Sequence, residues 1–175
     1  GAVVRANARV GADESTLVMP FFAPDEGGAL GLKLVSVFNS NPPRHLPLIH
    51  ALVLVLDATT GAPLALIEGS SLTAIRTGAA SGAATDALAR PDARVVALFG
   101  SGVQARRQLE AVCTVRPIER VMLYSLSGAE QFAAEMAGAG PIPADIVLAP
   151  SPRAALAEAD IVCTATTSRT PRNAR

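Results

Sequence analysis

Residues 94–109, RVVALFGSGVQARRQL, decide the fold. The run RVVALF is a short, continuous apolar strand closed by glycines, and unbroken apolar strands suit a sheet covered on both faces. The stretch after it, VQARRQLEAVCTV, has the spacing of an amphipathic helix. Between the two stands the pattern GxGxxA, made of Gly100, Ser101, Gly102, Val103, Gln104 and Ala105. Gly100 allows a tight turn out of the strand, Gly102 lets a pyrophosphate approach the backbone, and Ala105 lets the helix lie close to the strand. The helix opening at Val103 would point its free N–H groups and the positive end of its dipole at the phosphates. A GxGxxA alone is weak evidence; its place between a strand and a helix, with a second strand following at the right distance, makes it a dinucleotide fingerprint.

Toward the C-terminus the rhythm repeats. RVMLYS is a second strand, AEQFAAEMAG a second helix, ADIVLAP a third strand, PRAALAEA a short helix and DIVCTAT a fourth strand. Strands alternating with helices of this length predict βαβ units and a parallel sheet. In a doubly wound sheet ligands sit at the carboxyl ends of the strands, so the loop Thr164-Ala165-Thr166-Thr167 is expected to line the cofactor site. The second strand ends at Ser125-Leu126-Ser127, with no Asp or Glu to hold the ribose hydroxyls of NAD and no Arg immediately after it to take a 2′-phosphate. NAD and NADP both stay open; the small hydroxyl residues leave room for the phosphate, which leans the reading to NADP.

Toward the N-terminus the chain is β-rich. ALGLKLVSVF (Ala29 to Phe38) is a strand, and HALVLVLDATTGAPLALIEG is a hairpin with strands at about Ala51 to Leu56 and Pro63 to Glu68 around the turn DATTG. An Ala-rich helix follows to about Leu88, with Ser70 or Ser71 as its N-cap, until Pro91 breaks the pattern. Its small residues, Gly78 to Gly82, would let another backbone pack very close. The expected class is α/β: a Rossmann-type doubly wound parallel sheet preceded by an α+β substrate and dimerisation domain. The boundary falls near Ala89 to Asp92, giving residues 1–91 and 92–175.

Composition limits the alternatives. The 175 residues are 50% apolar and 17% charged, enough for a sizeable core. Lys plus Arg and Asp plus Glu balance at 15 each, which leaves no electrostatic footprint for nucleic acid or an anionic membrane. Cys113 and Cys163 sit in apolar runs and read as buried small hydrophobes, and the only histidines, His45 and His50, do not make a metal pair. No signal peptide and no apolar run near 18 residues is present, so a cytoplasmic protein is the default expectation. Starting at Gly1 inside a patterned segment and ending in the polar TSRTPRNAR, the chain is expected to be a fragment.

Three basic residues lie in apolar or small-residue surroundings: Arg9 in RANARV, Lys33 in GLKLVSVF and Arg76 in LTAIRTGAAS. A lysine in the middle of a buried strand is costly unless paired or functional. Lys33 reads either as an edge-strand lysine reaching solvent or as a ligand group, and Arg76 either as a surface helix arginine or, by its bidentate geometry, as a carboxylate clamp.

LKLVSVFNSNP, LTAIRTGAAS and GSGVQA, in this order and spacing, resemble the ornithine cyclodeaminase/mu-crystallin family, over about Arg5 to Thr167. The resemblance implies a dimerising substrate domain joined to a Rossmann domain. It further implies an NAD(P)-dependent oxidoreductase that transfers hydride at the α-carbon of a small amino or imino acid, of alanine dehydrogenase or ketimine/pyrroline-2-carboxylate reductase type. The alternatives within the family are ornithine cyclodeaminase and a non-catalytic NADP-binding crystallin. By the same resemblance Arg9 and Lys33 contact the substrate, with Arg9 on its carboxylate and Lys33 as the catalytic group. Arg76 bridges substrate and cofactor, Thr77 sits beside a cofactor phosphate, Gly100 to Ala105 hold the pyrophosphate, Ser125 lies near the adenosine ribose and Thr166 near the nicotinamide half. The implied partners are a small amino- or imino-acid substrate and a second copy of the chain, with no nucleic acid or membrane; an exposed sheet edge in the first half would favour pairing of copies. Two departures stand out. The family's Pro-Thr pair after NP is Pro47-Leu48 here, and the family's catalytic Asp lies downstream of the fourth strand, where the tail after Ser168 does not match.

Overall fold

The computed structural model describes residues 6–24, 28–166 and 168. Their elements are β1 (Ala6–Arg9), β2 (Glu14–Ala23), β3 (Ala29–Phe38), β4 (Ile49–Leu56), β5 (Pro63–Glu68), α1 (Gly69–Leu88), β6 (Val95–Phe99), α2 (Val103–Val115), β7 (Arg120–Tyr124), α3 (Ala129–Met136), β8 (Ile146–Leu148), α4 (Pro152–Leu156) and β9 (Ile161–Thr164). The chain divides into two compact units, residues 1–73 and 74–175.

The first unit is a five-stranded antiparallel sheet in the order β1-β2-β3-β4-β5. The hairpin turn forms as its residues predict: the Asp57 carboxylate accepts from the backbone N–H of Thr59 and Thr60 and from the Thr60 hydroxyl. Because side chains alternate across a strand, the register sorts the sheet into two faces. One face carries Met19, Lys33, Val53 and Ile67 in one row and Ala51 in the next, with Val53 and Ala51 buried. A Cβ on Gly69, the first residue of α1, would lie 2.7 Å from the Ala51 side chain, so α1 begins pressed on this face. The other face carries Val18, Leu34 and Leu52, then Pro20, Leu32, Leu54 and Leu66, then Phe22, Leu30 and Leu56. These rows are apolar apart from Glu68, which stands opposite Leu52, and Leu34, Leu52, Leu66 and Phe22 are exposed; the same face continues into the polar row Thr16, Ser36 and His50.

The helix α1 starts one residue before the serines expected to cap it, and its cap is a different group. The Glu68 carboxylate accepts from the backbone N–H of Ser70 and of Ser71, so Ser70 and Ser71 are donors here, not the cap. Those bonds favour the charged form and hold the Glu68 carboxyl down at about 2. The cap therefore stays formed above the ordinary carboxylate range and is lost only as pH falls toward that value.

The second unit contains the remainder of α1 and a four-stranded parallel sheet in the order β8-β7-β6-β9. The chain runs outward from β6 to β8 and then returns to the other side of β6, so the strand order reverses between β6 and β9. Val96 and Leu98 pack with Ala105, Leu109 and Val112 of α2 and Phe132 of α3, while Ala97 packs on the opposite face with Ala155 of α4. Helices thus cover both faces of the two central strands, which is why β6 and β7 are apolar without alternation. Cys113 and Cys163 are buried in the α2 side of this core, and burial pushes the Cys113 thiol up to about 12. Among the described residues no helix is long and apolar enough to cross a membrane.

The small residues of α1 serve close packing, as their run implies. A Cβ on Gly78 would sit 2.5 Å from the Arg107 carbonyl oxygen of α2, and one on Gly82 would sit 3.0 Å from the Ala111 side chain. The C-terminus of α1 is held by Arg116, whose guanidinium donates to the carbonyls of Asp86, Ala89, Arg90 and Val115 and to the Asp86 carboxylate. Its side chain is only 9% exposed. Removing it takes the donor from the carbonyls at the end of α1, and because these bonds lie exposed or half-buried, Arg116→Ala is expected to cost about 1–2 kcal/mol in urea unfolding. Arg116→Lys should recover little of that, because one ammonium cannot serve a fan of carbonyls. A loss below about 0.5 kcal/mol for the alanine variant would show that the fan contributes no stability.

Candidate dinucleotide site

At the carboxyl end of β6 the chain must leave the sheet without filling the space beyond it. Gly100 does so at φ +101°, in the left-handed region that favours glycine. A Cβ there would lie 2.4 Å from the carbonyl oxygen of Ala165, just past β9, so no other residue fits between the two strand ends. The Gly100 N–H donates to the Tyr124 carbonyl of β7, and the Ala165 N–H donates to the Phe99 carbonyl of β6, which ties the three strand ends together.

Gly102 has the opposite surroundings: nothing lies within 4 Å of where its Cβ would be. It is the N-cap of α2 and offers no side-chain cap, so the first N–H groups of the helix face that open space. Val103 is 66% exposed beside it. Ala105 is fully buried against the strand, as the third fingerprint position requires. Room for a ligand at Gly102, a fixed helix N-terminus and close packing at Ala105 together fit a dinucleotide pyrophosphate. Gln104 adds an unexpected feature: its Oε1 is buried and has no hydrogen-bond partner.

Next to this loop lies a hydroxyl cluster. Ser101 Oγ and Ser125 Oγ are 3.0 Å apart, and both hydroxyls reach the Ser127 carbonyl, at 2.8 and 2.9 Å. Sequence reasoning singles out Ser101 and Ser125 as site residues and names Ser127 only within the strand-end segment, since the acceptor role of its backbone carbonyl leaves no mark in residue type. Residues 100–105, 125–129, 149–152 and 164–166, which form this end of the sheet, contain no ionisable side chain. Charges gather at the other end, where the Asp160 carboxylate accepts from the backbone N–H of Arg94 and Val95 and Arg120 pairs with Asp145. Those backbone bonds hold the Asp160 carboxyl below its ordinary range.

The remaining singled-out residues are placed as follows. Thr166 is exposed directly beyond β9, and its neighbour Thr167 lies outside the described residues. On α1, Arg76 is exposed, while Thr77 is half-buried, with its carbonyl accepting from Ser81 Oγ. Lys33 stands on β3, the middle strand of its sheet and not an edge, and its Nζ donates to Thr73 Oγ1 at 2.7 Å. Thr73 was visible only as part of the motif LTAIRTG; the partnership needs the helix start to lie over the sheet. Arg9 shares the Lys33 face of that sheet by register, on the edge strand β1, but strand spacings put the two backbones roughly 16 Å apart. They are not in contact.

The profile of the ornithine cyclodeaminase/mu-crystallin family matches residues 4–173. It runs past Ser168, where the sequence reading had ended the resemblance; those last residues lie outside the described ones. The chain is 42% identical over 158 residues to a Delta(1)-pyrroline-2-carboxylate reductase of Bacillus cereus, covering 90% of this chain and 48% of that protein. The structure of Thermococcus litoralis Delta(1)-pyrroline-2-carboxylate reductase in complex with NADH and L-proline superposes with a TM-score of 0.84 at 43% identity, over 95% of this chain and 51% of the other. An archaeal alanine dehydrogenase dimer with bound NAD superposes with a TM-score of 0.82 at 32% identity, over 95% and 50%. The chain spans about half the length of the relatives it matches. With this profile laid over nearly the whole chain, and with the fingerprint loop built as described, the protein belongs to the ornithine cyclodeaminase/mu-crystallin family.

Proposed function

We propose that this chain comes from an NAD(P)-dependent oxidoreductase that moves hydride to or from the α-carbon of a small amino or imino acid, most simply a cyclic imine reductase. The observation that carries the reading is the open space at Gly102 in front of the α2 N-terminus, at the switch point between β6 and β9. Anionic dinucleotides are favoured there by free N–H groups and by the absence of carboxylates. The cofactor supplies the hydride chemistry, and the chain supplies binding and orientation. Gly100 to Ala105 would hold the pyrophosphate, with Thr77 beside a phosphate, Ser125 at the adenosine ribose and Thr166 at the nicotinamide half. Lys33 and Arg9 would take the substrate, Arg9 on its carboxylate, and Arg76 would serve both ligands. The Thr73 hydroxyl fixes the Lys33 ammonium, which can donate a proton to, or place positive charge beside, an imine nitrogen. The functional boundary near residues 89–92 and a cytoplasmic setting belong to the same proposal.

A homodimer is part of it as well. The leucine face of the five-stranded sheet supports this, because exposed apolar patches of that extent mark interaction sites.

The test pairs binding with turnover. NADH or NADPH should be consumed with Delta(1)-pyrroline-2-carboxylate by the full protein, and Lys33→Met should lower turnover at least about 100-fold while dinucleotide affinity changes less than about twofold. Consumption with pyruvate plus ammonia instead would shift the reading to an alanine dehydrogenase, and release of ammonia from ornithine without net consumption would shift it to a cyclodeaminase. A Lys33→Met enzyme with full turnover would remove Lys33 from the mechanism.

A further inference from the structure

Among the described residues, Lys33 is the only charged side chain in three successive rows of its sheet face. Its own row is Met19–Lys33–Val53–Ile67. On one side runs Leu17–Val35–Ala51, where α1 begins against Ala51, and on the other runs Phe21–Gly31–Val55–Ala65. Gly31 is buried although it has no side chain of its own, because the tip of the Phe21 ring fills the space over it. A Cβ on Gly31 would lie 2.6 Å from Phe21 Cε1 and 2.8 Å from the Leu54 carbonyl oxygen, so glycine is what lets the ring reach across from β2. The ring is thus brought onto β3 one side-chain step from Lys33, roughly 7 Å along the strand. Phe21 is still 39% exposed, and its row borders Lys33 on the side away from the start of α1. Met19, directly opposite Lys33 on β2, is half-buried beside it. A carboxylate or imine nitrogen held at Lys33 would set the rest of its molecule against these two side chains.

We propose that Phe21, with Met19, is the specificity-determining wall of the substrate site at Lys33, taking a hydrocarbon side chain and turning away one that ends in an ammonium. This rests on the substrate site proposed above and adds what selects the substrate's side chain. Carbon laid on the open ring is removed from water together with the ring, which favours binding. A distal ammonium would give up water there, meet no carboxylate in the three rows, and stand near the like charge of Lys33. The weak attraction of a phenyl face for a cation does not offset this.

L-norvaline and L-ornithine test it, since norvaline is ornithine without its terminal amine. Calorimetric titration of the full protein in the presence of NADH reads binding alone, because NADH cannot accept hydride from an amino acid. The native protein should bind norvaline at least about tenfold more tightly than ornithine. Phe21→Ala should weaken norvaline about tenfold and change ornithine less than about threefold, and Phe21→Leu should restore most of the norvaline affinity. Phe21→Asp should move the ratio toward ornithine by at least about tenfold, because a carboxylate then meets the distal ammonium. With Delta(1)-pyrroline-2-carboxylate, Phe21→Ala should raise KM by about tenfold and leave kcat within about threefold. Equal affinity of the native protein for the two amino acids overturns the proposal, as does a ratio unmoved in Phe21→Asp with a normal melting transition. Binding of neither amino acid by a folded, NADH-loaded protein overturns the substrate site at Lys33 itself, and the role of Phe21 with it.

Discussion

Gly102→Asp is expected to weaken NADH and NADPH binding by more than about 100-fold while leaving the protein as stable as before. The two halves of that expectation have separate causes. Gly102 sits at φ −85° and ψ −172°, extended backbone that any residue adopts, and nothing lies within 4 Å of its missing Cβ. An aspartate fits there without strain, and as an N-cap it would satisfy a free N–H of α2, which is stabilising. The same carboxylate would occupy the space, and use the helix N-terminus, that the pyrophosphate needs. Gly100→Ala should fail in the opposite way. Its positive φ and the Ala165 carbonyl 2.4 Å away make any Cβ a steric fault, so the protein should lose stability before binding can be judged. Thermal melting beside a fluorescence titration separates the two. Undiminished binding in Gly102→Asp would show that no pyrophosphate sits on this loop.

The second large effect is expected on the leucine face. Leu54→Lys places a charge in the row Pro20–Leu32–Leu54–Leu66, between the row of Leu34 and Leu52 on one side and the row of Leu30 and Leu56 on the other. Leu66 is 67% and Leu52 43% exposed, although each would gain about 1.5–3 kcal/mol from full burial. A second copy meeting this face would bury it at the standard scale of about 800 Å² per partner. An unpaired ammonium there should weaken association at least about 100-fold. Light scattering after gel filtration should show a dimer for the native chain and a monomer for Leu54→Lys. Val53→Lys, on the face where α1 begins, should instead unfold the unit, since Val53 is 6% exposed. A native chain that is monomeric at high concentration would end the proposal that this face joins two copies.

The sequence alone determined the parallel sheet and its helices. The strands Val95–Phe99 and Arg120–Tyr124 are legible because packing on both faces demands unbroken apolar runs, the edge strand Ile161–Thr164 because its short apolar run follows a helix, and α2 because one helical face alone is buried. It determined the fingerprint too, since Gly100, Gly102 and Ala105 are each required by local backbone geometry or close packing. It did not reveal β1 and β2: Ala6–Arg9 is exposed throughout, and Glu14–Ala23 mixes polar residues with Pro20, so neither has a clean period. Tertiary structure alone decided which groups meet at a distance along the chain. Glu68 took the capping role from the serines because the end of β5 turns directly into α1 and carries its carboxylate back to their N–H groups. Lys33 found Thr73 forty residues away, and Ser101 found the carbonyl of Ser127 across two strand ends. Periodicity and turn chemistry are properties of neighbours in sequence, so they can be read there; strand order, register and backbone acceptors are fixed only when distant segments compete for the same buried space.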